Sequence, residues 1–97
     1  MERDRPNSTR STKDPEITLY TTEPCARCLR AKALLESYDL PYHEVNLAKD
    51  PVGRRELAEF TGRITFPQIV IEGRPLGGFE DLVQADRRGE LEALASP

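Results

Sequence analysis

The rhythm of apolar and polar positions changes several times along the chain, and each rhythm predicts one element. In residues 16–20, EITLY, Ile17 and Leu19 alternate with polar or amphipathic neighbours, and the β-branched and aromatic content suits a first strand. From Cys25 to about Tyr38 the period lengthens. Cys28, Ala31, Leu35 and Tyr38 fall on one face while Arg27, Arg30, Lys32 and Glu36 stay polar, which predicts a helix packed on a sheet. PYHEVNL, residues 41–47, reads as a second short strand. In the following DPVGRRELAEFTG, Asp50 is placed to cap a second helix, Pro51 to occupy its first position and Gly62 to end it.

The segment FPQIVIEGRPLGG holds a buried strand at residues 68–71, a turn at Glu72 and Gly73, and a returning strand at residues 74–76. A last helix follows from Phe79 to about Arg88 and resumes after Gly89 from Glu90 to Ala95. Its apolar positions are Phe79, Leu82, Val83, Leu91 and Leu94. The order β-α-β-α-β-β-α defines an α/β domain with one mixed sheet of four strands, in which a parallel βαβ unit lies beside an antiparallel hairpin. No internal repeat is visible.

Composition adds boundaries. The first fifteen residues contain no aliphatic or aromatic side chain after Met1 and mix Pro, Ser, Thr and charges of both signs, so residues 1–15 read as a disordered tail and 16–97 as the folded domain. The tail lacks the apolar core of a secretory signal, and no segment approaches the roughly 18 apolar residues of a membrane span, so the expected location is cytoplasmic, away from membranes. Residues 16–97 carry ten basic and fourteen acidic side chains, a net charge of −4, which argues against nucleic acid as a partner.

The chain has two cysteines, Cys25 and Cys28, three residues apart where the first strand gives way to the first helix. That placement is the mark of a thioredoxin-like redox domain. Residues three apart on a helix lie about 5–6 Å from each other, within the span of a disulfide. The first backbone N–H groups of a helix are unpaired and its end carries about half a positive charge, so a thiolate is favoured at Cys25. Cys28, one turn inward on the apolar face, should be sheltered and protonated. Cys25 is therefore the expected nucleophile, exposed at the helix end, and Cys28 the resolving thiol. A purely structural disulfide fits poorly with a reducing compartment. Zinc needs four ligands, and the single histidine, His43, lies on a strand without a partner motif.

Three segments in order, LYTTEPCARCLRAKALLE, TGRITFPQIVIEG and LGGFEDL, closely resemble the active-site helix, the Thr-Val-Pro segment and the Gly-Gly-x-x-Asp segment of the glutaredoxins, in particular the small bacterial type. Read as residues alone, Gly77-Gly78 is a turn, Glu80 and Asp81 complement a helix dipole, and Arg63 is a solvated loop arginine. The resemblance implies more. It makes Phe66–Pro67 a cis peptide facing the nucleophile, with the Phe66 backbone free to pair with a bound peptide. It assigns the N–H groups of Phe79 and Glu80 to the γ-glutamyl carboxylate of glutathione, Asp81 to its ammonium group, and Arg63 to its glycyl carboxylate. Two departures stand out. The family usually has a lysine three residues before the first cysteine and the sequence Cys-Pro-Tyr-Cys, where this chain has Thr22 and Cys-Ala-Arg-Cys.

The resemblance thus implies a monomeric, glutathione-dependent thiol-disulfide oxidoreductase acting on protein disulfides and protein–glutathione mixed disulfides, with no metal in the monomer. Two alternatives remain open at this level. One is a redoxin fed by thioredoxin reductase or another low-molecular-weight thiol, as are electron donors to ribonucleotide reductase. The other is a dimer sharing a [2Fe–2S] cluster through Cys25 and two glutathiones, which the replacement of the inner proline by Ala26 permits.

Overall fold

A computed structural model describes residues 14–96 of the chain. The expectation of a tail over residues 1–15 therefore falls, up to residue 13, outside the described residues, while Pro15 is already buried. Alternation in ITLYT becomes strand β1 (Ile17–Thr21), with Ile17, Leu19 and Thr21 buried and Thr18 and Tyr20 half-buried. Successive strand side chains point to opposite faces, so β1 is covered on both sides and lies inside the sheet. It pairs in parallel with β2 (His43–Asn46) and antiparallel with β3 (Gln68–Ile71), and β3 pairs antiparallel with β4 (Arg74–Gly77). The resulting order, β2-β1-β3-β4, is the mixed four-stranded sheet read from the sequence.

Helix α1 (Ala26–Ser37) and the pair α3 (Phe79–Arg87) and α4 (Glu90–Ala95) cover one face of this sheet. Their Ala31, Leu35, Leu82, Ala85 and Leu91 close a core over Ile17, Leu19 and Ile69. Tyr38, at the end of α1, donates a hydrogen bond to the carboxylate of Asp86 on α3. A second tie runs to the sheet edge, where Lys32 Nζ meets Glu44 Oε1 at 2.9 Å and Thr21 Oγ1 donates to Glu44 Oε2 at 2.8 Å.

The other face is covered by α2 (Pro51–Thr61), which buries only Leu57. Its ends follow the expected chemistry. Asp50 Oδ1 accepts from the Gly53 N–H at 2.8 Å, and Gly62, at φ 77°, donates to the Ala58 carbonyl at 2.7 Å. Two elements are shorter than their apolar runs. β2 starts at His43, because Pro41 has no N–H to give a ladder, and α1 starts at Ala26 because Cys25 is its extended cap residue, φ −155°. Gly89, at φ 79°, separates α3 from α4. Among the described residues no helix is long and apolar enough to cross a membrane.

This topology gathers loops at one sheet edge. β1 and β2 run in parallel toward it, β3 starts from it and β4 returns to it, with Thr21 paired to Asn46, Tyr20 to Gln68 and Ile69 to Gly77. Cys25, Pro67 and Gly78 all follow or precede strand ends on that edge.

Candidate active site

The two cysteines stand where β1 ends and α1 begins. Cys25 caps α1, and its Sγ accepts the Cys28 backbone N–H at 3.0 Å. The unpaired N–H end of the helix is thus turned on the sulfur atom. The two residues are joined as a disulfide, with Cα atoms 5.2 Å apart. Cys28 is buried at 2% exposure. Cys25 is half-buried rather than fully exposed as its place at the helix end suggested, because the cap conformation folds its side chain over the first turn. Arg27 and Arg30 both lie exposed. Glu23, the nearest acid before the pair, accepts a hydrogen bond from Asn46 Nδ2 at 2.8 Å and is held toward β2.

Just before β3, Phe66–Pro67 is a cis peptide bond, as the sequence resemblance implied; Glu23–Pro24 is cis as well, which no sequence feature had indicated. Among the described residues the Phe66 backbone makes no hydrogen bond. Gln68, 1% exposed, donates from Nε2 to the Thr65 carbonyl at 2.9 Å and so fixes the segment leading into Pro67.

The start of α3 completes the edge. Gly77 has φ 129°, and a Cβ there would lie 2.2 Å from Asp81 Oδ2; Gly78 lies next to the Pro67 carbonyl, which a Cβ there would meet at 3.4 Å. Gly77 is therefore required by its backbone conformation and by the close approach of Asp81, whereas a side chain at Gly78 would meet the Pro67 carbonyl only at ordinary contact distance. Asp81 Oδ2 accepts the Gly78 N–H at 2.8 Å and an Arg63 Nη1–H at 2.8 Å. The Gly78 N–H first, and then Arg63, hold the Asp81 carboxyl below the usual carboxylate range. Phe79 and Glu80 are the first helical residues, whose N–H groups have no acceptor within α3.

All the residues singled out in the sequence, Cys25, Cys28, Arg63, Phe66, Pro67, Phe79, Glu80 and Asp81, belong to loops or element ends at this edge. The structure adds what sequence reasoning missed. Arg63 and Asp81, expected to hold opposite ends of one ligand, are paired with each other. The Asp81-to-Gly78 cap had a local trace in the Gly-x-x-Asp spacing, whereas a partnership across 18 positions had none.

The family model described as Glutaredoxin matches residues 17–76. Glutaredoxin 3 of Escherichia coli K12 is 40% identical over 78 residues, covering 80% of this chain and 94% of its own. The Glutaredoxin of Pseudomonas aeruginosa is 40% identical over 82 residues, covering 84% and 98%. Among solved structures, the glutaredoxin from Brucella melitensis superposes with a TM-score of 0.75 at 36% identity, covering 86% of this chain and 90% of that one. A thioredoxin-like sheet, a Cys-x-x-Cys pair at a helix start and these matches agree, and the chain belongs to the glutaredoxin family of glutathione-dependent thiol-disulfide oxidoreductases.

Proposed function

We propose that Cys25 is the nucleophile and Cys28 the resolving thiol in the reduction of protein disulfides and protein–glutathione mixed disulfides. The observation that carries this division is the Cys28 N–H aimed at Cys25 Sγ at 3.0 Å, beside a Cys28 side chain that is 2% exposed. In the dithiol form the same N–H and the helix dipole stabilise a Cys25 thiolate, lowering its pKa below that of an ordinary thiol. That thiolate attacks one sulfur of the target disulfide. The target S–S bond breaks, a Cys25 mixed disulfide forms, and the leaving thiolate takes a proton from solvent. Cys28 then gives up its proton and attacks the Cys25 sulfur, which releases the second target thiol and closes the Cys25–Cys28 disulfide. Two glutathione molecules, oxidised to one glutathione disulfide, return the two electrons. With a glutathionylated protein, Cys25 instead takes the glutathionyl group and a second glutathione removes it.

The free Phe66 backbone supports pairing with the tripeptide's extended main chain, and the α3 start at Phe79 and Glu80 supports its γ-glutamyl carboxylate. Arg63 and Asp81 match its glycyl carboxylate and its ammonium group. Their mutual ion pair has side chains 50% and 39% exposed. Such a pair contributes about 0–1 kcal/mol, so a ligand that offers each partner a new counter-charge displaces it at little cost. The protein acts as a monomer in the cytoplasm, where the glutathione pool keeps dithiols of this kind reduced.

The test is coupled NADPH oxidation with glutathione and glutathione reductase, run beside thioredoxin reductase alone. Turnover only in the first arm is expected; turnover only in the second would transfer the protein to the redoxins that bypass glutathione. Cys25→Ser should abolish exchange with every substrate. Cys28→Ser should retain deglutathionylation and lose reduction of intramolecular disulfides, and equal loss in both variants would refute the assigned roles.

A further inference from the structure

On the face of the sheet away from α2, a groove of about 470 Å³ runs between α1 and α3, with Arg30 and Leu34 on one wall and Phe79, Val83 and Asp86 on the other. Both helices begin at the active edge, where Cys25 caps α1 and Gly78 caps α3. Positions 27, 30 and 34 follow one another at spacings of three and four, so Arg27 continues the α1 wall up to the cysteines. Arg27 and Arg30 are exposed, and among the described residues no carboxylate pairs with either, although the whole chain has a net charge of −3. Leu34, Phe79 and Val83 are only half-buried, and Ala33 beside them is exposed. At the far end Asp86 accepts the Tyr38 hydroxyl. The groove thus has a basic mouth beside the reactive pair and an apolar middle.

A protein–glutathione mixed disulfide brings two bodies to one sulfur. The tripeptide is assigned above to Arg63, the Phe66 backbone, Asp81 and the start of α3, so the protein part needs another flank of Cys25. The α1–α3 groove is continuous with that sulfur through Arg27, and its charge is opposite to that of an acidic target. We propose that this groove docks the protein part of the mixed disulfide, and that it favours targets with an acidic side chain next to the glutathionylated cysteine and a large apolar side chain about 10 Å further on. The distance is that of the seven helical positions from Arg27 to Leu34, which an extended chain spans in about three residues. The carboxylate meets Arg27 and Arg30, and the apolar group fills the space between Leu34 and Val83. As the Cys25 thiolate takes the glutathionyl sulfur, the S–S bond breaks, and the protein thiolate leaves on this side and takes a proton from solvent. This specificity rests on the reading of Cys25 as the nucleophile and of the tripeptide site beside it.

The test compares two synthetic peptides, each with one glutathionylated cysteine, the first carrying Glu beside the cysteine and Leu about three residues beyond, the second carrying Lys and Ser in those places. Each kcat/KM is divided by the peptide's uncatalysed rate with glutathione, which removes the intrinsic effect of charge on disulfide reactivity. The acidic peptide is expected to be preferred by about fivefold or more, and the preference should shrink as salt rises from about 0.05 M to about 1 M. Arg27→Glu combined with Arg30→Glu should abolish or reverse the ratio, and Ala33→Glu, at an exposed position on the rim, should reduce it. Arg55→Glu, on α2 across the sheet, should leave it unmoved. Each ratio is taken within one variant, so partial misfolding cancels. Equal normalised rates for the two peptides with the unaltered chain, a ratio unmoved by the double charge reversal, or a ratio moved by Arg55→Glu in its place would overturn the docking proposal. Reduction of a glutathione–hydroxyethyl mixed disulfide by the same preparation separates this from a failure of the active-site reading. If that small substrate is also left unreduced, the assignment of Cys25 itself fails, and the docking proposal falls with it.

Discussion

Asp81 serves two neighbours with one oxygen, capping the Gly78 N–H and pairing with Arg63, and Gly77 leaves the space in which it does so. Gly77→Ala should therefore cost about 1–3 kcal/mol, since φ 129° strains any other residue and the new Cβ would collide with that carboxylate. Urea unfolding measures this, and a change within error would mean that the turn relaxes freely. Asp81→Asn keeps the shape and removes the charge. It should raise KM for a glutathionylated peptide several-fold with little change in kcat, because the interaction lost is one of binding. At Cys25 the relevant measurement is absorbance near 240 nm during titration of the reduced protein. Ionisation below the ordinary thiol value of about 8.5 is expected, and ionisation at that value would remove the helix from the mechanism.

Two elements near the active edge are held by few contacts. α2 is fastened to the sheet by Leu57, its one buried side chain, and a cleft opens along its flank toward residues 63–66. Leu57→Ala should destabilise by about 2–4 kcal/mol, and hydrogen exchange should rise first in α2 rather than throughout the chain. Uniform loss of protection would show that α2 and the sheet open as one unit. The edge strand β2 is tied to α1 by Lys32, whose hydrogen bond is the main cause holding the Glu44 carboxyl below its usual value, with Thr21 adding to it. A depressed folded pKa stabilises the native state above the unfolded value, and the contribution is lost as pH falls through the folded one. Stability should therefore decline as pH drops below about 4.3, and Glu44→Gln should flatten that decline while lowering stability at neutral pH by about 1 kcal/mol or less. Identical pH profiles would assign acid sensitivity to other carboxylates.

For the molecule as a whole, the core between α1, α3, α4 and the sheet carries the stability, and the loop edge carries the chemistry. Leu35→Ala, in a fully buried position, should cost about 2–5 kcal/mol, a large part of a small domain's total. Ile64→Ser, in contrast, should change stability by no more than about 0.5 kcal/mol, because it removes a side chain that nothing covers. Much of this division is legible in the amino-acid order. Alternation in ITLYT, the one-face stripe of Cys28, Ala31 and Leu35, and the Asp50-Pro51 to Gly62 frame are local patterns, and local sterics and hydrogen bonding are sufficient to set them. The cysteine spacing is local in the same way, since a helix cap residue and the residue three positions on lie within disulfide range, with the Cα atoms of Cys25 and Cys28 5.2 Å apart. What no local pattern contains is who meets whom across the sheet edge. Arg63 finds Asp81, Lys32 finds Glu44, and Arg54 and Arg55 are left facing an acid-free cleft only because distant segments converge there. The chain's order determined the elements and the reactive sulfurs; tertiary packing decided the charges around them, because Coulombic partners are chosen by distance in space rather than by separation in sequence.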